Sequence, residues 1–229
     1  MKIAIIGAGL SGITAAKILK SELGETANIL LFEKSLGLGG RMSTRYAGEF
    51  EFDHGAQYFT ARDPHFRTVV NEALKLGHVA KWNGRALFHN GTELIADTGQ
   101  PRFVAAPRMN TWPKQLAEGL NITRKQRVSN LVLVNNKWQL QFDDGTTQDA
   151  FDFIICATPA AQAIDLLPQN FSGMEDVQST KMDACFALMV GFHHQHNFGW
   201  DTLRVKDSPI AWLSVNGSKP GRNKDVTTL

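Results

Sequence analysis

Cysteines are scarce in this sequence, and long hydrophobic runs are absent. Cys156 and Cys185 are the only two cysteines among 229 residues, and they form no Cys-x-x-Cys spacing. This excludes a disulfide framework and a cysteine-based zinc site, and it favours the cytoplasm. No apolar run approaches the roughly 18 residues that a membrane span requires. The run after Met1-Lys2 is also too short for a secretory signal, so we expect a cytoplasmic protein that contacts no membrane.

The sequence also lacks a dominant charge. Its 24 basic and 22 acidic residues leave a net charge of +2, too small a field to predict nucleic-acid binding. With 43% hydrophobic residues, the chain can bury the core of one large domain or two small ones. Neither an internal repeat nor a low-complexity tract is present, so the fold must be predicted from alternating strand and helix patterns. The oligomeric state stays open.

A glycine loop near the start carries the strongest functional signal. The apolar strand Lys2–Ile6 precedes Gly7-Ala8-Gly9-Leu10-Ser11-Gly12, and Leu10–Leu23 has helical spacing of its apolar residues. Asn28–Phe32 is a second apolar strand that ends at Glu33. Glycines in this spacing permit a tight turn, backbone approach to a pyrophosphate and close helix–strand packing, while the acidic residue accepts hydrogen bonds from ribose. The pattern predicts a Rossmann-type βαβ unit that binds a dinucleotide.

A second glycine turn indicates which dinucleotide. Gly39-Gly40-Arg41 follows Glu33 closely, which a simple nicotinamide-binding domain does not require. Backbone at this turn would approach the pyrophosphate from its other side, and the Arg41 guanidinium would neutralise it. We therefore predict FAD as the cofactor.

Further elements follow from periodicity and turn residues. Pro64–Leu76 is a predicted helix whose inward residues are Phe66, Val69, Val70, Ala73 and Leu74. The other predictions are hairpin strands in Val79–Ile95 with turns at Asn83-Gly84 and Asn90-Gly91, a helix over Thr111–Leu120, a meander from Val128–Val134 and Lys137–Phe142, a strand buried on both faces over Phe151–Cys156, and a helix that opens at Pro159.

Together with the glycine turns, two further strings define a resemblance. Asp53-His54-Gly55-Ala56-Gln57-Tyr58-Phe59 is the most specific, and Ser218-Lys219-Pro220-Gly221-Arg222 lies near the end. With these strings the chain resembles the renalase-type branch of the flavin amine-oxidase superfamily. The resemblance implies an α/β fold, in which a glutathione-reductase-like FAD-binding domain of Rossmann type carries an inserted α+β substrate domain on a mixed or antiparallel sheet.

The domain bounds follow from the order of the predicted elements, because the first βαβ unit ends near Arg45 and the chain returns to the same sheet at Phe151–Cys156. Residues 1–45 and 128–160 are the expected FAD-binding domain, and residues 46–127 and 161–229 the expected substrate domain. Relatives continue past the position of Leu229 with a segment that holds the far end of the flavin. We therefore expect that part of the FAD site to be missing from this chain.

The resemblance also assigns cofactor contacts. The pyrophosphate is expected at Gly7, Gly9, Ser11 and Gly12, the adenosine ribose at Glu33, adenine at Val128, and the isoalloxazine at Ala56 and Gln57. The remaining expected contacts are Lys34, Gly40, Arg41, Met42 and Thr158.

No catalytic triad or metal site is predicted, since direct hydride transfer to a flavin needs little acid–base machinery. The pocket candidates are Tyr58 and Trp212 as walls, with His54 and Gln57 as hydrogen-bonding groups. Each has a structural alternative: His54 would pair with Asp53, and the aromatic residues would belong to the core. The His193-His194-Gln195-His196 string lacks carboxylate or cysteine partners at a metal-site spacing.

Three basic residues suit a phosphorylated ligand. They are Arg108, Lys219 and Arg222. The alternative for the last two is a solvated turn around Pro220-Gly221.

The resulting hypothesis is an FAD-dependent oxidoreductase. It takes a hydride from a small reduced substrate, with oxygen as acceptor. The resemblance to renalase-like enzymes implies that this substrate is a dihydro-isomer of NAD(P)H. The alternatives are a flavin amine oxidase, which binds a cationic amine in an aromatic cage, and a non-catalytic dinucleotide-binding fragment.

Overall fold

The computed structural model describes all residues from 1 to 229, with seventeen strands and five α-helices. The strands are β1 Lys2–Ile6, β2 Asn28–Glu33, β3 Arg45–Ala47, β4 Phe50–Phe52, β5 Val79–Lys81, β6 Ala86–His89, β7 Leu94–Ala96, β8 Phe103–Ala105, β9 Asn121–Arg124, β10 Val128–Val134, β11 Lys137–Phe142, β12 Thr147–Phe151, β13 Phe153–Cys156, β14 Gly191–Phe192, β15 Thr202–Val205, β16 Trp212–Ser214 and β17 Thr227–Thr228. The helices are α1 Leu10–Leu23, α2 Pro64–Lys75, α3 Thr111–Leu116, α4 Ala160–Leu166 and α5 Met174–Ser179.

The chain divides into two units. The first comprises Met1–Arg41 and Pro113–Cys185, and the second comprises Met42–Trp112 and Phe186–Leu229. They are called the nucleotide unit and the substrate unit after the expected domains that they largely match. The nucleotide unit thus includes β9, α4 and α5, which the sequence placed in the other domain. β9 lies there because it pairs with β2.

A four-stranded parallel sheet forms the centre of the nucleotide unit. Its strand order is β13-β1-β2-β9, and every pairing in it is parallel. Side chains of β1 alternate between two cores. Ile3 and Ile5 pack with α1 on one face, and Ala4 and Ile6 pack with the β10–β12 meander on the other. Because both faces are covered, β1 is a continuous apolar run.

The predicted βαβ unit and meander are confirmed, but the prediction of one strand over Phe151–Cys156 is wrong. Phe151 ends β12 in the meander, and the separate strand β13 begins at Phe153. β13 pairs only with β1, so it is an edge strand. The Phe153 side chain consequently stays 56% exposed rather than buried.

The substrate unit is built on a mixed sheet. Its order is β16-β15-β6-β7, with β15 and β6 parallel and the outer pairs antiparallel. Smaller antiparallel pairs join β3 to β4, β5 to β8 and β14 to β17. α2 begins after Asp63, whose side chain accepts a hydrogen bond from the Phe66 N–H, with Pro64 in the first turn.

Three further sequence predictions need correction. Asn83-Gly84 is no hairpin turn, because β5 pairs with β8 and not with β6. α3 ends at Leu116 rather than Leu120, and the next strand then joins the parallel sheet. Val69 on α2 was predicted to face inward but is 45% exposed. Of the predicted inward residues of this helix, only Val70 and Ala73 are buried. No helix of the structure combines the length and apolar content that crossing a bilayer requires.

Candidate functional site

Three loops meet at the carboxyl edge of the parallel sheet in the nucleotide unit. They follow β1, β2 and β13. A methyl group on Gly12 would overlap the Gly7 carbonyl oxygen and lie 3.3 Å from the Ala157 Cβ. Gly7 itself has φ of 102° and faces the Ala157 carbonyl and Thr158. The glycines therefore let α1 and the loop after β13 approach the first turn closely.

The start of α1 presents free backbone donors. Gly9 occupies the N-cap position without a side-chain hydrogen bond, and the first turn contains no acidic residue. Ser11 is exposed in this turn. N–H groups at the start of a helix of 14 residues, together with its dipole, favour an anion such as a phosphate.

Glu33 fixes the geometry of the glycine loop. One of its carboxylate oxygens accepts a hydrogen bond from the Ala8 N–H at 2.8 Å, and the other accepts one from the Ser35 N–H at 2.8 Å. The side chain is buried at the end of β2. Each carboxylate oxygen keeps a second lone pair, so Glu33 can still accept hydrogen bonds from a ribose.

The second glycine turn lies against the first. Gly9 and Gly39 form a parallel β-bridge, and a methyl group on Gly40 would lie 3.2 Å from the Gly9 Cα. The Arg41 side chain is exposed. Lys34 is also exposed, and it donates a hydrogen bond to the Gln162 side chain. The two turns thus present adjacent stretches of backbone.

Two other predicted contacts of the nucleotide unit occupy different places. Thr158 stands in the loop after β13, with its Oγ1 3.2 Å from the Cys156 Sγ. Val128 begins β10 and is buried in the core that contains Phe32. Thr158 therefore lies beside the glycine loop, whereas the Val128 side chain is a core residue.

A buried ion cluster dominates the substrate unit. It consists of Asp53, Lys219 and Arg222, whose side chains are almost completely shielded from solvent. Arg222 Nη2 lies 2.7 Å from Asp53 Oδ2, and Lys219 Nζ lies 3.3 Å from the same oxygen. The other Asp53 oxygen accepts hydrogen bonds from Thr44 and the Met109 N–H. One carboxylate thus balances two cations.

Lys219 is surrounded by acceptors. Its Nζ donates to Gln57 Oε1 at 2.9 Å and to Asn216 Oδ1 at 2.9 Å, in addition to Asp53. Three acceptors suit the three N–H groups of an ammonium ion. Burial lowers the pKa of Lys219 to about 8, although the Asp53 charge opposes this shift. Burial alone would raise the pKa of Asp53, but Lys219 and Arg222 hold it below its usual value.

The cluster overturns the predicted solvated turn. Lys219 and Arg222 are buried, and their donors are used by the protein. Arg108 forms a two-point ion pair with the Glu51 carboxylate. None of these three cations is left unpaired for a phosphate.

An aromatic wedge, made of Tyr58 and Trp212, lies in the same unit. Their ring centroids are 5.7 Å apart at an interplanar angle of 42°. The Arg102 guanidinium carbon lies 4.8 Å from the Tyr58 centroid and 5.4 Å from the Trp212 centroid. Arg102 also donates to Thr202 Oγ1 at 2.8 Å and pairs with Asp97 at 2.9 Å. One cation therefore lies against both rings.

Residues 86–221 match the family described as flavin containing amine oxidoreductase, and residues 5–73 match the NAD(P)-binding Rossmann-like domain. The chain belongs to the flavin-containing amine oxidoreductase family. Within this family it is renalase-like: it is 28% identical to renalase of Mus musculus over 95% of this chain and 67% of that protein. It is 33% identical to coproporphyrinogen III oxidase of Mycobacterium tuberculosis over 51% of this chain and 23% of that protein.

Solved structures share the fold. A protein described as a protoporphyrinogen oxidase from Exiguobacterium superposes with a TM-score of 0.72 at 15% identity, over 99% of this chain and 75% of that one. A redesigned putrescine oxidase superposes with a TM-score of 0.68 at 12% identity, over 99% of this chain and 74% of that one. The chain thus spans about two thirds of the renalase and three quarters of these structures.

FAD is the cofactor of this flavoprotein family, and the nucleotide unit fits its dinucleotide part. In both glycine turns a Cβ would press on neighbouring backbone, at Gly12 on the Gly7 carbonyl and at Gly40 on the Gly9 Cα. The free N–H groups of α1 suit the pyrophosphate, and Glu33 suits the ribose. The predicted roles of Gly7, Gly9, Ser11, Gly12, Glu33, Lys34, Gly40, Arg41, Val128 and Thr158 stay predictions.

The predicted residues of the substrate unit have different surroundings. Tyr58 and Trp212 lie together, and the Gln57 carboxamide is bound by Lys219 and by the Asp53 carbonyl. No hydrogen bond joins His54 to Asp53, because the Asp53 carboxylate is used by other partners. Burial and then the nearby Arg45 lower the pKa of His54. Met42 is buried and Ala56 is partly exposed, and their cofactor contacts stay predictions.

Sequence patterns missed the partners of these groups. Asp53 and Lys219 are 166 residues apart, and Arg102 and Thr202 are 100 apart. No periodicity connects residues at such separations. The sequence did single out Lys219 and Arg222, because they belong to the string Ser218–Arg222 that supports the family resemblance. That string did not indicate that the two side chains are buried.

Proposed function

We propose that this chain is an FAD-dependent oxidase that takes a hydride from a small reduced substrate, a dihydro-isomer of NAD(P)H, and uses oxygen as acceptor. The observation that supports an FAD site most directly is the pairing of the two glycine turns, with Glu33 hydrogen-bonded to the first. Family membership supports the oxidoreductase chemistry. Similarity to renalase supports the substrate class.

Each group of the nucleotide unit has a task in this proposal. The N–H groups at the start of α1 bind the pyrophosphate, and Glu33 orients the ribose. The exposed Arg41 guanidinium adds a positive charge beside the second turn. We also propose that the parallel sheet belongs to a glutathione-reductase-like domain and that the protein works in the cytoplasm.

FAD, when bound, supplies the redox chemistry. In the net reaction, a dihydronicotinamide, one proton and O₂ give an oxidised nicotinamide and hydrogen peroxide. The protein contributes orientation and the exclusion of water, and needs no side chain as a proton acceptor for the hydride step. Arg108, Lys219 and Arg222 give no support for a phosphate contact, since each is paired within the protein.

The second candidate is a flavin amine oxidase, which the family description and the putrescine oxidase neighbour suggest. A cationic amine needs the open faces of aromatic rings. In this structure Arg102 lies against the faces of Tyr58 and Trp212. The arrangement therefore favours the dihydronicotinamide.

An absorbance titration of the purified chain with FAD tests the cofactor. We expect a bound flavin spectrum that survives gel filtration. Anaerobic mixing with dihydronicotinamide isomers is expected to bleach the flavin, whereas benzylamine and putrescine are expected to leave it oxidised. Bleaching by the amines alone would refute the proposed substrate, and a chain that takes up no FAD would favour the non-catalytic alternative.

A further inference from the structure

An apolar stretch of the substrate unit lies open to solvent just before β14. It is Phe186–Val190, here called the open segment, and all five of its residues are apolar. Phe186 is 97% exposed and Leu188 is 81% exposed. Residues 186 to 189 make no hydrogen bond within the chain. Large apolar side chains are normally buried, and a contiguous exposed set of them marks an interaction surface.

The open segment continues an antiparallel ladder. β14 pairs with β17, and beyond it Val190 and Leu229 exchange two backbone hydrogen bonds, of 3.1 and 2.9 Å. In such a ladder the next residues that can exchange a pair of bonds lie two and four positions further along. These are Leu188 and Phe186, and neither has a backbone partner. Their N–H and C=O groups are therefore free to pair with an added strand.

The side chains of the open segment belong to two faces, because successive side chains of an extended chain alternate. A methyl group on Gly191 would meet the Phe50 ring, so the Gly191 face is turned toward the substrate unit. Met189 shares that face and is half-buried, whereas Leu188 and Phe186 share the opposite one. The open segment thus presents unpaired backbone beside two large apolar side chains.

Nothing within the open segment prevents another strand from pairing with it. Native edge strands are usually protected by a charge, a proline or a bulge. Residues 186 to 190 include neither a charged residue nor a proline. The segment is also complementary to itself. When two copies run antiparallel with Ala187 opposite Ala187, Phe186 of each copy lies opposite Leu188 of the other.

This register satisfies backbone and side chains together. Phe186 and Leu188 occupy the hydrogen-bonded positions, so each of their pairs exchanges both N–H···O bonds. Ala187, the smallest residue, falls on the two-fold axis at a position without hydrogen bonds, where opposite Cα atoms come closest. Pairs of aromatic and aliphatic side chains stabilise neighbouring strands. Pairing cannot extend to Val190, because Leu229 already occupies the position opposite it.

We propose that the open segment is a dimerisation edge, at which Phe186–Leu188 pairs antiparallel with the same residues of a second copy of this chain. The contact is isologous, so it closes at two copies. Because it is short, the dimer is weak and reversible. The inference goes beyond the proposed function and does not rest on it, since the open segment needs no flavin.

Sedimentation velocity of the full chain over a range of concentrations tests the proposal. We expect a reversible shift from monomer to dimer that is half complete at about 50 μM, as suits a short contact. F186K and L188K are each expected to weaken dimerisation at least about tenfold, because each places a charge in the contact. Both variants should keep the Tm of the unmodified chain, since the replaced side chains are exposed.

A matched control and a backbone variant separate the contributions. Leu76 is 68% exposed in the same unit but lies outside the open segment, so L76K is expected to dimerise like the unmodified chain. L188P keeps an apolar side chain but lacks the N–H that the pairing uses, so it is expected to weaken dimerisation about tenfold as well.

Amide hydrogen exchange measured by NMR tests the register. Between dilute and concentrated samples we expect exchange at Phe186 and Leu188 to slow about tenfold, because their N–H groups become bonded in the dimer. The Ala187 N–H points to the other edge of the strand, and its exchange is expected to stay unchanged.

Three results would overturn the proposal. The first is a chain that stays monomeric at every concentration, and the second is association that F186K and L188K leave unchanged. The third is growth beyond the dimer, which a two-fold contact does not permit. If L188P does not fold, the two lysine variants and the amide exchange decide. Dimerisation is measured without FAD, so its outcome is independent of whether the chain proves to be an oxidase.

Discussion

The side chains of Lys219 and Asp53 form an ion pair with no exposed surface, and Arg222 pairs with the same carboxylate oxygen. Asp53 directly follows β4, whereas both cations lie in the last part of the chain. The pairing therefore ties the two sequence segments of the substrate unit together. The stability of this cluster depends most on the Asp53 carboxylate, because its removal leaves two buried cations without a counter-ion.

Asp53→Asn should destabilise the substrate unit strongly. We expect the free energy of unfolding to fall by about 3–5 kcal/mol, the usual cost of breaking a buried ion pair. Urea unfolding followed by tryptophan fluorescence measures it, since four of the five tryptophans lie in this unit. Asp143→Asn is the control: its pair with Arg127 is half exposed, and the expected loss is about 0–1 kcal/mol. Equal losses in the two variants would contradict the prediction.

Stability should depend on pH through Lys219. Its pKa is about 8 in the folded chain and about 10.4 when unfolded. Between these values the unfolded chain binds the proton that the folded chain has released, so the free energy of unfolding rises with pH, by roughly 3 kcal/mol in total. Below pH 8 both states are protonated, and the full cost of burying the charge is present.

Urea midpoints of the unmodified chain and two variants, measured between about pH 7.5 and 10, test this rise. Lys219→Met is expected to lack it. Lys206→Met removes an exposed lysine and is expected to keep it. A Lys219→Met chain that shows the same rise as the unmodified chain would show that another group is responsible.

Gly12→Ala should disrupt the nucleotide unit. The added methyl group would overlap the Gly7 carbonyl, and neither backbone can move without shifting α1 from β1. We expect a loss of about 3 kcal/mol in the free energy of unfolding, the upper range for overpacking. Gly37→Ala serves as control because its Cβ would meet nothing within 4 Å. Circular dichroism in urea distinguishes them, and a harmless Gly12→Ala would refute the close approach.

Glu33→Gln should weaken FAD binding about tenfold or more and lower stability by about 1–3 kcal/mol. An amide places an NH₂ group opposite one of the two backbone N–H donors that Glu33 now accepts, and it removes the charge that favours ribose hydroxyls. A fluorescence titration with FAD measures the affinity. Glu22→Gln, at an exposed position of α1, should bind FAD like the unmodified chain. Unchanged affinity in Glu33→Gln would exclude Glu33 as a ribose ligand.

Local patterns predicted the first βαβ unit, the first two strands of the meander and α2 to within one residue of their bounds, whereas the third meander strand, Thr147–Phe151, was missed. In each, the turn residues and the periodicity of the same short segment agree, so no distant contact was needed. The prediction of Phe151–Cys156 as a doubly buried strand failed for the opposite reason. An apolar run does not show how many neighbours a strand has in its sheet, and β13 has only β1.

The sequence by itself determined the family, the glycine turns and the position of Glu33, because a dinucleotide site is built from backbone and residues close together in the chain. Tertiary structure alone decided the state of the charged residues. Lys219 and Arg222, which look solvated beside Pro220-Gly221, are buried because Asp53 lies against them. Arg102 lies against the rings of Tyr58 and Trp212 because Asp97 and Thr202 hold its guanidinium there. Charge and solvation depend on which distant groups meet, and only the folded chain brings them together.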